Sequence, residues 1–136
     1  MKILALDIGD KWTGSAISDA LGMFARPYKT VETKDLKVFL AEVIAAERIK
    51  AVVVGHPKTM RGTQSEQTKK IQEIKKQLEQ KFAMVEWKLW DERLSSKRAA
   101  HTKKAKTKED KRLSHSIAAA FILDSYLTFL HSQKGL

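Results

Sequence analysis

Lys2-Ile3-Leu4-Ala5-Leu6-Asp7-Ile8-Gly9 is the stretch that decides the fold. Ile3 to Ile8 is a short, nearly continuous apolar run that stops at Gly9, the pattern of a strand buried on both faces. Asp7 stands inside that run, and a carboxylate in such a strand is costly unless something pairs it or uses it. Outward from this stretch, Gly9-Asp10-Lys11 reads as a turn and Thr13 to Ser18 as the returning strand. Met23 to Val31 completes a meander, with Pro27 marking an edge or a bulge.

The rest of the chain changes period. Leu36, Phe39, Leu40, Val43 and Ile44 repeat at helical spacing. Ala51 to Gly55 is a second short apolar run, ended by Gly55-His56-Pro57. Thr63 and Glu66 are spaced as a capping box, followed by a helical stripe of Ile71, Ile74, Leu78 and Phe82 on a charged background. Val85, Trp87 and Leu89 alternate with Glu86 and Lys88, as in a half-buried strand. Ser114 to Leu130 is the last predicted helix, apolar at Ile117, Phe121, Ile122 and Leu130. No internal repeat or linker interrupts the pattern, so residues 1–136 are expected to form a single domain.

Three strands followed by helix, strand, helix, strand, helix predict an α/β fold. Right-handed crossovers would make the first, fourth and fifth strands parallel. Their carboxyl ends then share one sheet edge, where α/β proteins keep their sites. Asp7 is expected near the end of the first strand, His56 after the fourth, and Asp91 and Glu92 after the fifth.

The chain has 26 Lys and Arg against 16 Asp and Glu, a formal net charge of +10, which favours polyanionic partners, chiefly nucleic acid. The basic segments lack an interleaved aromatic face, so no membrane surface is expected as a partner. The absence of cysteine excludes disulfides and thiolate metal sites. Asp7 interrupts the first apolar run too early for a signal peptide or a membrane span, so a cytoplasmic protein is expected.

Several strings at the strand ends match a family pattern. Leu6-Asp7-Ile8-Gly9 with Gly14 and Ser18-Asp19 form one block, and Val53-Val54-Gly55, Pro57, Met60 and Gly62-Thr63 a second. Trp90-Asp91-Glu92-Arg93-Leu94-Ser95-Ser96 forms a third, and Ser116-Ile117-Ala118-Ala119-Ala120, Ile122-Leu123 and Ser125-Tyr126-Leu127 a fourth. In this order the blocks resemble the YqgF (RuvX) family. The resemblance implies a ribonuclease H-like fold, with a mixed five-stranded sheet and helices on both faces. It also implies a nuclease that trims the 5′ end of precursor 16S ribosomal RNA; a Holliday-junction resolvase role is a proposed alternative for the family. The family's acidic site maps to Asp7, to the Asp91–Glu92 pair and to a carboxylate at the start of the last helix. Here that last position is His115, Trp12 stands where the family usually has Arg, His56 where Leu is common, and Arg61 where Asn or Asp is common.

The expected catalytic and metal-holding set is therefore Asp7, Glu92 and His115, with Asp91 as the alternate to Glu92. Divalent Mg²⁺ or Mn²⁺ is the expected cofactor, since paired ions can stabilise a phosphate, activate water and stabilise the leaving oxygen. Carboxylates suit Mg²⁺, whereas imidazole suits Mn²⁺ better. Lys11, Trp12, Arg61, Arg93, Lys103, Lys104, Lys106, Lys108, Lys111 and Arg112 are the candidates for holding nucleic acid, structured precursor rRNA in the first instance. The last six are read as a loop ahead of His115, whose like charges repel unless they meet phosphates. Two rival readings stay open. Asp7-Ile8-Gly9 with Thr13-Gly14 is also similar to the first phosphate loop of the actin and sugar-kinase fold, although no second such loop is found. His115 leaves room for a catalytically impaired RNA-binding or ribosome-assembly factor.

Overall fold

The structure, a computed structural model, describes residues 2–56, 66–91 and 108–134. A five-stranded sheet is built from β1 (Lys2–Ile8), β2 (Trp12–Ser18), β3 (Ala25–Glu32), β4 (Ile49–His56) and β5 (Glu86–Asp91), in the order β3-β2-β1-β4-β5. β1, β2 and β3 form the antiparallel meander, while β1, β4 and β5 run parallel. Both features agree with the reading of the sequence. Pro27 sits on the edge strand β3, and the β2–β3 register shifts between Gly14 and Ala16. Asp19 opens the β2–β3 turn by accepting hydrogen bonds from the Met23 and Phe24 amides, at 2.7 and 3.1 Å. Those amides hold its carboxyl below the usual carboxylate range.

Helices cover both faces, and the two faces pack differently. On one, α1 (Leu36–Ala46) and α2 (Glu66–Lys81) bury large side chains: Phe39, Leu40, Val43, Ile71, Leu78 and Phe82 meet Leu4, Leu6, Ile8, Ile17, Val52 and Val54. On the other, α3 (Lys108–Lys134) is the helix that covers the sheet among the described residues. Its Ala119, Ile122, Leu123, Tyr126 and Leu127 meet Ile3, Ala5, Ala16, Ala51 and Val53. Arg112–Gln133 is long and apolar enough to cross a membrane by length and composition, but here its apolar stripe covers the sheet. Ile117 and Phe121, expected to lead that stripe, are only half-buried.

The structure corrects the sequence reading at two other elements. α3 starts at Lys108 rather than Ser114, so Lys108, Lys111 and Arg112 belong to a helix and not to a loop. Glu and Asp are favoured residue types in the first turn of a helix, so a segment that includes Glu109 and Asp110 in its sequence is a sound helix start. β5 runs on to Asp91, which is therefore a strand residue paired with His56. Leu89, expected to point inward, is exposed on this edge strand. Thr63 of the expected capping box lies outside the described residues.

α3 comes into backbone contact with the sheet at Gly14. A Cβ added there would lie 2.1 Å from the His115 carbonyl oxygen and 2.7 Å from the Ser116 amide nitrogen, both backbone atoms that cannot swing away. Gly14→Ala is expected to force α3 off the sheet at a cost of at least about 2 kcal/mol, at the upper part of the range for overpacked cores. The measurement is the urea midpoint at constant slope. An unchanged midpoint would contradict the close approach.

Candidate active site

The site is best read along one row of the sheet. Register places Thr30 of β3 beside Gly14 of β2, and Gly14 beside Asp7 of β1. On the far side, the last parallel β1–β4 pair is Leu6 with Val54, so the next residues along are Asp7 and Gly55, and Gly55 pairs with Trp90 of β5. Laterally paired residues share a face. Ile3 and Ala5 pack under α3, so alternation turns Asp7 towards α3 as well. The row under that helix is thus Thr30, Gly14, Asp7, Gly55 and Trp90, with an acid at its centre and a glycine on either side.

Asp7 is half-buried. Among the described residues its carboxylate makes no hydrogen bond or ion pair. A strand-end acid serving structure alone would be capped by neighbouring amides, and among the described residues none caps this one.

The helix above the row is polar at this point. Residues 112, 115, 116, 119, 122 and 123 follow the spacing of one helix face, and its buried part is Ser116, Ala119, Ile122 and Leu123. Beyond Ala119 that face continues as Ser116, His115 and Arg112. The peptide joining His115 to Ser116 rests on Gly14, the lateral neighbour of Asp7. Strand neighbours are about 4.8 Å apart, so Asp7 and the His115 turn are brought together. Two side-chain contacts fasten the turn to β3. The Thr30 hydroxyl donates to the Arg112 carbonyl and shares a 2.6 Å hydrogen bond with the Ser116 hydroxyl.

Trp12 lies two residues beyond Gly14 on β2, on the same face and half-buried. The Arg112 guanidinium carbon is 4.6 Å from its ring centroid, and the Lys11 ammonium 5.8 Å. Three residues assigned from sequence to nucleic-acid contact therefore gather beside Asp7.

Asp91 does not join them. It pairs with His56, whose neighbours Val52 and Val54 pack under α1 and α2, so His56 and Asp91 face the layer away from Asp7. His56 is buried there, with its Nε2 3.1 Å from Gln72 Nε2 of α2, a contact that ties β4 to that helix. Glu92, Arg61, Arg93, Lys103, Lys104 and Lys106 lie outside the described residues, as do the side chains of Lys108 and Lys111. Among the described residues no three His, Asp or Glu side chains form a group that could hold a metal. Asp7 offers a hard oxygen donor and His115 a nitrogen donor on the adjoining turn, a partial set that suits a divalent cation.

Thr30 and Ser116 were missed in the sequence, where nothing distinguishes a hydroxyl that fastens a helix from one facing water. Gly14 did carry a signal, because a glycine inside a strand marks a close approach of backbone. At the other end of the row the Trp90 indole donates to the Ser125 hydroxyl at 3.1 Å and packs edge-on against Tyr126, with centroids 5.4 Å apart. Burial, with a smaller contribution from the Glu86 charge, raises the pKa of the Tyr126 hydroxyl.

Comparison with known proteins identifies the family and the fold. The family model described as "RuvX: Holliday junction resolvase" matches residues 1–129. A relative from Christiangramia forsetii, named "Putative pre-16S rRNA nuclease", is 39% identical over 131 residues, covering 93% of this chain and 97% of its own. A relative of the same name from Clostridium tetani is 38% identical over 146 residues, covering 98% of this chain and 100% of its own. Among solved structures, a Thermus thermophilus RuvC in complex with a Holliday junction substrate superimposes with a TM-score of 0.67 at 20% identity, covering 97% of this chain and 96% of that one. A Fowlpox virus resolvase bound to Holliday junction DNA gives 0.51 at 15% identity over 96% and 99%. These resolvases share the fold of this chain, a ribonuclease H-like sheet. With a family model spanning nearly the whole sequence and relatives well above 30% identity along their full length, this chain belongs to the RuvX family.

Proposed function

We infer that this chain is a divalent-metal-dependent nuclease that hydrolyses phosphodiester bonds, with structured precursor ribosomal RNA, at the 5′ end of 16S rRNA, as its substrate. One observation carries the reading: a carboxylate, Asp7, that is uncommitted among the described residues, at the carboxyl end of the parallel strands, beside a helix turn that carries His115 and Arg112. The names of the relatives supply the substrate class.

Asp7 is assigned as the central metal ligand. Glu92 is assigned as the second, since Asp91 faces the opposite layer, and His115 as the third. A bound divalent ion would neutralise phosphate charge and lower the pKa of a water nucleophile. The chain's own groups do the rest. Gly14, without a side chain, lets the His115–Ser116 turn settle directly beside Asp7. Lys11, Arg61, Arg93, Lys103, Lys104, Lys106, Lys108, Lys111 and Arg112 supply cations for the flanking phosphates. Attack by water on phosphorus, with departure of the 3′ oxygen, leaves a 5′-phosphate and a 3′-hydroxyl. The cytoplasm is the compartment in which this substrate is met.

A second reading, an RNA-binding assembly factor without cleavage, is favoured by a single feature, the imidazole of His115 where the family carries a carboxylate. The assay that separates the two offers hairpin RNA, single-stranded RNA and a four-way DNA junction with Mg²⁺ or Mn²⁺. Wild type is expected to cleave RNA. Asp7→Asn is expected to lower the rate at least about 100-fold, since lost outer-shell partners of metal ligands already cost 10–100-fold. The same variant is expected to leave the unfolding midpoint unchanged or raised, because a half-buried charge without a partner among the described residues is a cost to the fold. Binding without cleavage under every metal would leave the assembly factor standing, and cleavage of the junction alone would make this chain a resolvase.

His115→Asp supplies a separate check on the third ligand. It is expected to shift the ratio of Mg²⁺- to Mn²⁺-supported cleavage towards Mg²⁺, by replacing a nitrogen donor with an oxygen donor. An unchanged ratio would remove His115 from the ligand set.

A further inference from the structure

Arg112 is a cation in an unfavourable place. It lies in the second turn of α3, near the end of the helix that repels positive charge. Its side chain is exposed and makes no ion pair among the described residues, although Asp7 and its uncommitted carboxylate are close at hand. What holds it is the indole of Trp12, 4.6 Å from the guanidinium carbon. Trp12 is diagonal to Asp7 across the β1–β2 pair, and diagonal neighbours on one face stand about 7–8 Å apart. The main chain of Arg112 is fixed from the other side by the Thr30 hydroxyl.

We propose that Trp12 is a shelf rather than a base-stacking platform: it holds the Arg112 guanidinium flat, off the Asp7 carboxylate, so that its fork of N–H donors stays open for a backbone phosphate of the bound strand, next to the one at Asp7. The proposal rests on the nuclease reading and assigns within it a phosphate clamp and the residue that positions it. The physical logic is a competition. A long cationic side chain beside an unpaired acid collapses into an ion pair unless another interaction holds it away. An aromatic face does this for arginine while leaving the edge of the guanidinium, with all its donors, free. One face of the indole is then taken by Arg112, which limits what a base could gain from Trp12. Lys11, 5.8 Å from the same ring, adds a second cation at the same rim. Trp12 thus acts through Arg112 and is a positioning residue.

The test is binding of the full chain to a fluorescently labelled hairpin RNA in the presence of a chelator, so that no cleavage occurs. Affinity is followed from about 50 to 200 mM salt, where each phosphate contact contributes to the slope of log affinity against log salt. Arg112→Gln is expected to weaken binding about tenfold at the low-salt end and to reduce the slope by about one. Trp12→Leu is expected to reproduce both effects, Trp12→Phe to retain most of the wild-type slope, and the double variant Trp12→Leu/Arg112→Gln to be no worse than either single one. The urea midpoint of each variant is measured alongside, with Trp12→Phe as the version that keeps the packing. If Trp12→Leu weakens binding at an unchanged slope, and its loss adds to that of Arg112→Gln, then Trp12 stacks on a base and the proposal is overturned. An unchanged slope for Arg112→Gln overturns it as well and leaves the nuclease reading intact. If wild type binds neither this RNA nor a four-way DNA junction, the nuclease reading itself fails and the proposal falls with it.

Discussion

A single backbone contact organises this molecule: the peptide between His115 and Ser116 lying on Gly14. A helix packed on a sheet normally stands off by the thickness of two side-chain layers. Here the sheet residue has no side chain, and the residues along the same interface, Ala5, Ala16, Ala51 and Ala119, are small. α3 therefore sinks towards the sheet over its length and touches it at Gly14. Because Gly14 is the lateral partner of Asp7, that contact fixes the height and position of the helix's polar turn relative to the acid. The Thr30 hydrogen bonds to Arg112 and Ser116 then prevent the turn from sliding along the row.

The two faces divide the work. The face under α1 and α2 carries Leu, Ile, Val and Phe, whose burial contributes roughly 1.5–3 kcal/mol per side chain. It has no unpaired acid among its described buried residues, and its one buried histidine is tied to Gln72. The face under α3 buries smaller groups and tolerates an uncommitted carboxylate, an exposed arginine near a helix N-terminus and two glycines in strand interiors. Each of these breaks a local rule of stability, and they occur side by side. Such clustering is what a functional site produces, because the rest of the fold offsets its cost.

Much of this was legible in the sequence because it rests on period and order. The apolar run around Asp7, the period-2 and period-3.6 stretches and their alternation sufficed for the meander, the parallel half and the shared carboxyl edge. Asp7 was legible because a charge in a doubly buried strand contradicts its surroundings. The less legible parts depend on where a side chain points or on what a charge does in context. Asp91 and Glu92 are adjacent in sequence, and only the register with His56 shows that Asp91 turns away from Asp7. Lys108 to Arg112 reads as a repelling loop until Glu109 and Asp110 are weighed as first-turn residues of α3. Trp12 reads as a direct nucleic-acid contact, since the cation seated on it comes from a residue one hundred positions later. Thr30 and Ser116 carry no sequence signal, because the value of each hydroxyl comes from the other.

The central claim is that Asp7 and the His115 turn form one site that receives a divalent cation. Paramagnetic broadening of amide signals on titration with Mn²⁺ tests this most directly, because it locates the ion without requiring turnover or a known substrate. The account predicts that the first amides to disappear are those of Asp7, Gly14 and the His115–Ser116 turn, while those of His56 and α2, on the far face of the sheet, persist. Broadening that begins on α2 or the β2–β3 turn and spares Asp7 would contradict it.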